Sequence, residues 1–429
     1  MPTSEQTTAH QTLPKASLSA WLICLLAALF YAYDFVLRIS PSVMIHPLMS
    51  WFDVSATQLG LLSAFYYYAY TPLQLPSGVI VDKWPLRWVL SGSAFCCAIG
   101  CFIFASTDSL IIAYISRAMM GLGSAFAFVG ALKLAALRLP QYHFALFSGI
   151  ATALGTLGAM ATDMFLSRSV EAFGWQNSIY MSGFIGLGIA ILLALTIRPT
   201  PKSMDSLKAN SLSWRVMISR MWALFKQWRF LINGFIGAML FMPVSVIASL
   251  WGVDFLAQRY GITNSMAASM TSVIFLGMAI SAPFSGWLSN YLGTRKQLLF
   301  CSAVVISLLL IIIIYTPWLN VWFVNIALLL LGMAVGPQVL TFAIAKDMSP
   351  KGSTGVATAS TNFLITLSAA IFQPLIGYML ELVWGGQKTA MGTPLYYIYE
   401  YREAFYILVL LIALSAVLSL LLPEKRSAK

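Results

Sequence analysis

Asp34, Arg38 and Arg117 lie inside long apolar runs, where a charged side chain is hardest to place. A charge at the middle of a bilayer costs roughly 2.5–3.5 kcal/mol on insertion scales, so it is read as functional by default. Depth follows from a helical rise of about 1.5 Å per residue. With the first run centred near Phe30 and the fourth near Gly121, Asp34 and Arg117 both fall roughly 6 Å from the midplane on the same side. Arg38 falls roughly 12 Å out, level with Asp163. An acid and a base at one depth match the ammonium and carboxylate of a small zwitterion. Arginine grips a carboxylate through two parallel N–H groups, and a carboxyl removed from water can carry a coupling proton. The competing reading is structural: Asp34 and Arg38 pair one helical turn apart, and Arg117 bonds to carbonyls. For Arg38 we expect a structural pair with Asp163.

Other candidates are uncharged. The carboxy-terminal half has no charge deep in any run, and Asp254 lies near an outer end. Asn233, Ser245, Trp251, Gln338 and Thr341 are its expected cavity-lining residues, with hydrogen bonds as their means of recognition. Gln338 follows Gly336-Pro337, a local break that frees carbonyls. Of Tyr66, Tyr67, Tyr68 and Tyr70, only Tyr66 and Tyr70 share a helix face, which makes them the better cavity candidates. His46 and His143 sit at run ends, and pH sensing is not the reading favoured for either. The five cysteines fall in apolar runs without metal-ligand spacing and read as packing residues. No nucleophile–base pair and no Gly-x-x-x-x-Gly-Lys-Ser/Thr loop is present. The chain therefore reads as no enzyme, with no cofactor, no metal and no nucleic-acid partner.

The elements that must position these residues are set by composition. Of the 429 residues, 59% are hydrophobic and only 9% are charged. Runs of about 20 apolar residues, each long enough to span a bilayer, recur twelve times between residues 18 and 422. Continuous runs rather than short alternating ones point to helices, not a barrel. The first run carries Asp34 and Arg38 and is too long for a cleavable signal. Nineteen of the 25 basic residues fall on one side if the amino terminus is cytoplasmic, and only Arg168, Arg259, Lys388 and Arg402 fall on the other. That bias orients both termini to the cytoplasm. Residues 1–17 read as a disordered cytoplasmic segment, 18–198 as a six-helix bundle and 199–228 as a cytoplasmic linker. Residues 229–422 read as a second six-helix bundle and 423–429 as a cytoplasmic tail. Trp214, Val216, Met217, Met221, Trp222 and Phe225 predict an amphipathic helix on the membrane surface within the linker. Tyr396, Tyr397 and Tyr399 predict an interfacial aromatic belt in the 383–402 loop.

One pattern occurs twice. Gly78-Val-Ile-Val-Asp82-Lys83-Trp-Pro85-Leu-Arg87 is matched by Gly286-Trp-Leu-Ser-Asn290-Tyr-Leu-Gly293-Thr-Arg295-Lys296. In each, a glycine precedes an acid or amide by four residues and an arginine follows five later. Duplicated membrane halves are the architecture of secondary transporters. Along essentially the whole chain this pattern, with twelve runs and a basic linker, resembles the major facilitator superfamily. Pro85 departs from that family's usual glycine and Asn290 from its acid. The resemblance implies an all-α membrane fold of two pseudo-symmetric six-helix bundles enclosing a site between them. It also implies a latch between the bundles at Gly78, Asp82 and Arg87 and at Gly286, Asn290 and Arg295. Gly78 is expected to let helices approach closely. The fifth run carries Gly149, Gly155 and Gly158, but Thr156 stands where family exporters show proline, which leans toward uptake.

Three stretches are similar to the phagosomal nutrient transporter family of intracellular gamma-proteobacteria. They are Phe30-Tyr-Ala-Tyr-Asp34-Phe-Val-Leu-Arg38-Ile-Ser-Pro41-Ser-Val-Met44, Ser63-Ala-Phe-Tyr66-Tyr-Tyr-Ala-Tyr70-Thr-Pro72-Leu-Gln74-Leu-Pro76 and Gly123-Ser-Ala-Phe-Ala-Phe-Val-Gly130-Ala-Leu-Lys133-Leu. The resemblance implies import of an amino acid or similar small zwitterion, and the reading of Asp34 adds proton coupling; the chain is expected to act as a monomer in a bacterial inner membrane. Nucleosides, dipeptides or a siderophore are alternative cargoes, and drug export a more distant one. Asp34, Arg38, Arg117, Tyr66, Tyr70, Gln338 and Asn233 are the expected substrate- or proton-binding residues.

Overall fold

The computed structural model describes residues 17–198, 214–350, 353–389 and 392–423. The expected disordered amino terminus, the first half of the linker and the tail lie outside them. Among the described residues, eleven helices are long and apolar enough to cross a membrane. They are α1 (Leu18–Val43), α3 (Leu86–Ser106), α4 (Leu110–Arg138), α5 (Leu146–Phe173), α6 (Trp175–Thr196), α7 (Trp228–Tyr260), α8 (Asn264–Leu292), α9 (Lys296–Tyr315), α10 (Val321–Met348), α11 (Thr354–Leu382) and α12 (Ile398–Ser419). Between α1 and α3 runs a helix of the same length class, α2 (Ala56–Lys83). It is less apolar because Thr71, Gln74 and Ser77 on it are buried against protein rather than lipid. Side-chain caps fix several starts, as the first-turn N–H groups of a helix lack internal partners. Ser17 accepts from the Ala20 amide, Thr263 from Met266 and Asn320 from Trp322. Ser55 and Gln58 form a reciprocal capping box at the start of α2.

Helices α1–α6 and α7–α12 form two six-helix halves. Their likeness is visible in one repeated contact. Gly121 of α4 lies directly on the Tyr66 carbonyl of α2, and Gly332 of α10 lies on the Ile274 carbonyl of α8. Only a residue without a side chain permits such backbone approach.

The halves meet chiefly along two seams, α2 with α11 and α5 with α8, and also where the end of α1 touches α7. On the first, Gly60 abuts the backbone of Gln373 and Pro374, where a Cβ would sit 2.7 Å from each. Thr71 bonds to Thr366 at 3.1 Å, and Asn362 donates to Gln74 at 3.0 Å. On the second, Thr271 approaches Asp163, and the Ser265 amide donates to Glu171 at 3.0 Å. At the face opposite the basic loops, the Thr57 amide donates to Glu381 at 2.9 Å and the Ala56 amide to the Tyr396 hydroxyl. Tyr396 is thus buried as a bridge between halves and does not join the expected belt, whereas Tyr397 and Tyr399 are exposed.

At the basic face the predicted linker helix forms over Trp214–Phe225. Its Met217 and Leu224 are buried against Val79 of α2, Phe230 of α7, Ala345 of α10 and Val356 and Ala357 of α11. Val216, Ile218 and Trp222 remain exposed on its other side. The helix therefore packs on α7 and α11 of the second half, within an apolar cluster that also takes in Val79 of α2.

Candidate functional site

The site is built on α1 and α2 in the first half. Asp34 and Arg38, one turn apart on α1, form an ion pair at 2.8 Å, and both are buried. The Tyr66 hydroxyl of α2 donates to the other Asp34 oxygen. The Arg38 guanidinium lies among aromatic rings, 4.5 Å from the centroid of Phe35, 4.6 Å from Tyr70 and 5.8 Å from Tyr66. Tyr66 and Tyr70 do share a face and stack with centroids 5.7 Å apart. A cation over desolvated rings gains about 2 kcal/mol per good contact. That offsets part of the cost of burying the pair, which as a stabilising device is weak. Arg38 Nε has no partner, which leaves a donor for a ligand.

The structure separates Arg117 from this pair. Its two terminal nitrogens donate to the carbonyls of Leu37 at 2.7 Å and Arg38 at 3.4 Å. The cause is Pro41, four residues after Leu37, which has no N–H to complete the helical bond. Ser40 Oγ at 3.0 Å supplies a second donor to the same carbonyl. Arg117 is fully enclosed and satisfies a broken helix end, as the structural alternative describes. The acid–base pair is therefore Asp34 with Arg38, not Asp34 with Arg117. The expected Arg38–Asp163 pair also does not form: Arg38 turns to its own helix, and Asp163 faces Thr271 across the seam.

In the second half, Asn233 of α7 donates to the Thr341 carbonyl of α10 at 2.9 Å, and its own carbonyl oxygen is buried without a partner. The Gly336–Val339 segment is a 3₁₀ turn, the break expected at Gly336-Pro337, and partly buried Gln338 lies in it. Trp251 donates to the Gln373 carbonyl at 3.0 Å, and Gln373 in turn donates to the Ser245 carbonyl at 2.7 Å. These bonds tie the π-helical segment Pro243–Trp251 of α7 to α11. Sequence reasoning missed Gln74 and Asn362, which join the halves. Gln74 was findable, as it continues the Tyr66 and Tyr70 face by one more turn.

The duplicated loops behave differently from the expected latch. Asp82 pairs with Lys133 at 2.6 Å, and Arg295 with Asp347 at 2.8 Å, each within its own half. Arg87 stacks on Trp88, and Asn290 is exposed. Gly78 and Gly286 have nothing within 4 Å of an added Cβ, so no helix closes on either here. Close approach occurs instead at Gly60 and Gly377, toward the other face, because that is where the halves are shut.

His46, not favoured as a pH-sensing residue on sequence grounds, has a buried partner in the other half. It lies on the short helix Ile45–Phe52 and pairs with Asp254 of α7 at 2.7 Å, while the Tyr401 hydroxyl of α12 donates to the second Asp254 oxygen. The two residues are 208 apart in sequence, the offset that also relates the two loop patterns, so equivalent points of the halves meet. The Asp254 carboxylate beside His46 holds the imidazole above its ordinary pKa.

The Major Facilitator Superfamily model matches residues 20–255 and again residues 234–429. The chain is 21% identical over 387 residues to the uncharacterized transporter YybO of Bacillus subtilis, covering 84% of this chain and 88% of that one. It is 22% identical to the probable galactarate/D-glucarate transporter GudP of Pseudomonas putida, covering 86% of each. Among solved structures, a bacterial homolog of the human lysosomal transporter Spinster, inward-facing and occupied, superposes with a TM-score of 0.77 at 16% identity, covering 95% of this chain and 97% of that one. The nucleoside transporter NupG superposes with a TM-score of 0.72 at 14% identity, covering 95% and 98%. With both halves matched in turn, this chain belongs to the Major Facilitator Superfamily and is a secondary transporter of two six-helix halves.

Proposed function

We propose that this transporter carries a small carboxylate-bearing solute, an amino acid or similar zwitterion, by proton-coupled alternating access. The buried Asp34–Arg38 pair in its aromatic surround carries the reading. A solute carboxylate competes with Asp34 for Arg38, and a solute ammonium competes with Arg38 for Asp34. When a carboxylate takes Arg38, Asp34 loses its counter-ion and becomes the natural acceptor of a proton. Solute and proton then bind together, which is the requirement of a symporter. Tyr66 and Tyr70 hold the guanidinium and exclude water, Arg117 fixes the α1 end that presents Arg38, and Asn233 and Gln338 face the solute from the second half. The likeness of the Asp34 and Tyr66 stretches to phagosomal nutrient transporters supports an amino acid over other cargoes.

A second reading is a dicarboxylate or other organic anion. Relatives named for galactarate, D-glucarate and sulfoacetate favour it. The chain sits as a monomer in a bacterial inner membrane with both termini in the cytoplasm, and Asp82, Arg87, Asn290 and Arg295 latch the cytoplasmic face when the opposite face opens.

Uptake of labelled amino acids, aldarates and nucleosides into proteoliposomes, with and without an inward proton gradient, tests these readings. Asp34→Asn is expected to abolish proton-driven accumulation while sparing counterflow exchange. Full accumulation by that variant removes Asp34 from coupling, and uptake of aldarates alone selects the second reading.

A further inference from the structure

Asp34 has a cation; the other fully enclosed membrane carboxyl, Asp163, has none. Asp163 lies in α5, within the π-helical segment Thr162–Leu166, and is wholly shielded from solvent. Single π turns inside α-helices recur at functional sites because they re-aim a side chain. Here the turn accompanies a carboxyl directed across the seam at α8. Among the described residues Asp163 forms no ion pair, and its Oδ1 has no hydrogen-bond partner. Among the described residues its one side-chain hydrogen-bond partner is Thr271 Oγ1, 3.3 Å from Oδ2.

That hydroxyl has a single hydrogen, and a second acceptor lies closer to it. Thr271 Oγ1 lies 2.8 Å from the Ala268 carbonyl of its own helix, and threonine on a helix commonly donates backward in this way. With its hydrogen directed there, Oγ1 offers Asp163 only lone pairs. Two acceptors at 3.3 Å form a bond only if the carboxyl itself supplies the hydrogen. An ionised Asp163 would face those lone pairs with no cation beside it, the arrangement that buried charges avoid. The neighbouring elements supply nothing to relieve it. Neither α8 nor the Ser40–Val43 turn contains Asp, Glu, Lys, Arg or His. On α1, Asp34 and Arg38 are engaged with each other. Further along α5, Arg168 is exposed and Glu171 accepts the Ser265 amide.

We propose that Asp163 is a proton-binding site, occupied in the arrangement that closes α5 on α8. Closing this face then takes up one proton per molecule, and opening it to water returns the carboxyl to an ordinary, ionisable environment. By linkage, acid on that side favours closure. The inference deepens the proton-coupled reading and rests on it for the direction of flux. Its test needs no transported solute, so either can fail while the other stands.

The probe is the proton, read by infrared absorption of the reconstituted protein at neutral pH, where exposed carboxyls are ionised. Wild type is expected to show a carbonyl band of a protonated carboxylic acid that shifts in heavy water. Asp163→Asn, which keeps the side chain's shape, should lose one carboxyl equivalent of that band, and Asp34→Asn should lose none. Thr271→Val removes the acceptor without removing the acid, so the band should move to the position of a carboxyl free of hydrogen bonding. Retention of the full band in Asp163→Asn, or an unmoved band in Thr271→Val, overturns the assignment.

Discussion

A histidine and a carboxylate that meet only when two halves close make their contact depend on pH. His46 is held above its ordinary value by Asp254 in the closed arrangement. A raised value in one state stabilises that state fully below the ordinary value of about 6.5 and loses that contribution as pH rises through the raised one. Closure at this face should therefore loosen from near neutrality upward. Hydrogen exchange over residues 45–57, corrected for intrinsic rates, is expected to speed up across that window in wild type. In His46→Gln the step should flatten; an unchanged step assigns it elsewhere. At this scale the sequence marks residues that are costly to bury, not whom they meet. Asp34, Arg38 and Arg117 stood out because ionised groups are rare in apolar runs. The role of Arg117 was legible too, since Pro41 stands four residues after Leu37, but only once the helix end is seen to lie beside α4. His46 gave no local sign, because its partner lies 208 residues away.

Among the helices, α2 and α11 do most to hold the halves shut on the face opposite the basic loops. Gly60 and Gly377 let the two backbones touch, so a side chain at Gly60 has only main chain to push against. Forcing extra methylene groups into such a contact typically costs about 1–3 kcal/mol. Because the halves can separate, Gly60→Leu is expected to open this face rather than unfold the protein. Hydrogen exchange at the start of α2 should then rise at every pH, with thermal stability in detergent nearly unchanged. A collapse of stability with no gain in exchange would show the seam to be a fixed core. The helices themselves were readable from run length, and the turn at Gly336-Pro337 from its residue types. The π segments in α5 and α7 were not: Thr162–Leu166 has no marking residue type, and Pro243 marks a break in α7 without saying that the turn widens. Gly78 and Gly286 were read as contact points from their spacing, yet spacing does not say in which state of the protein the contact is made.

For the whole molecule, charge bias and duplication together specify two six-helix halves and a preferred orientation. Orientation is open to direct measurement. With the native cysteines replaced, Tyr399→Cys, an exposed site beyond α11, should react with a membrane-impermeant maleimide on intact cells. Trp84→Cys, exposed in the first basic loop, should react only after permeabilisation. The reverse pattern would invert the topology. What composition and spacing leave open is which face is shut, for a sequence that serves alternating access must suit both arrangements. The pairing of His46 with Asp254 bears on how such a chain can arise. Two identical subunits meeting at this point would set imidazole against imidazole, or carboxylate against carboxylate. Unlike groups can be brought together there only after a gene has doubled, its copies have been joined, and each has been free to drift from its twin.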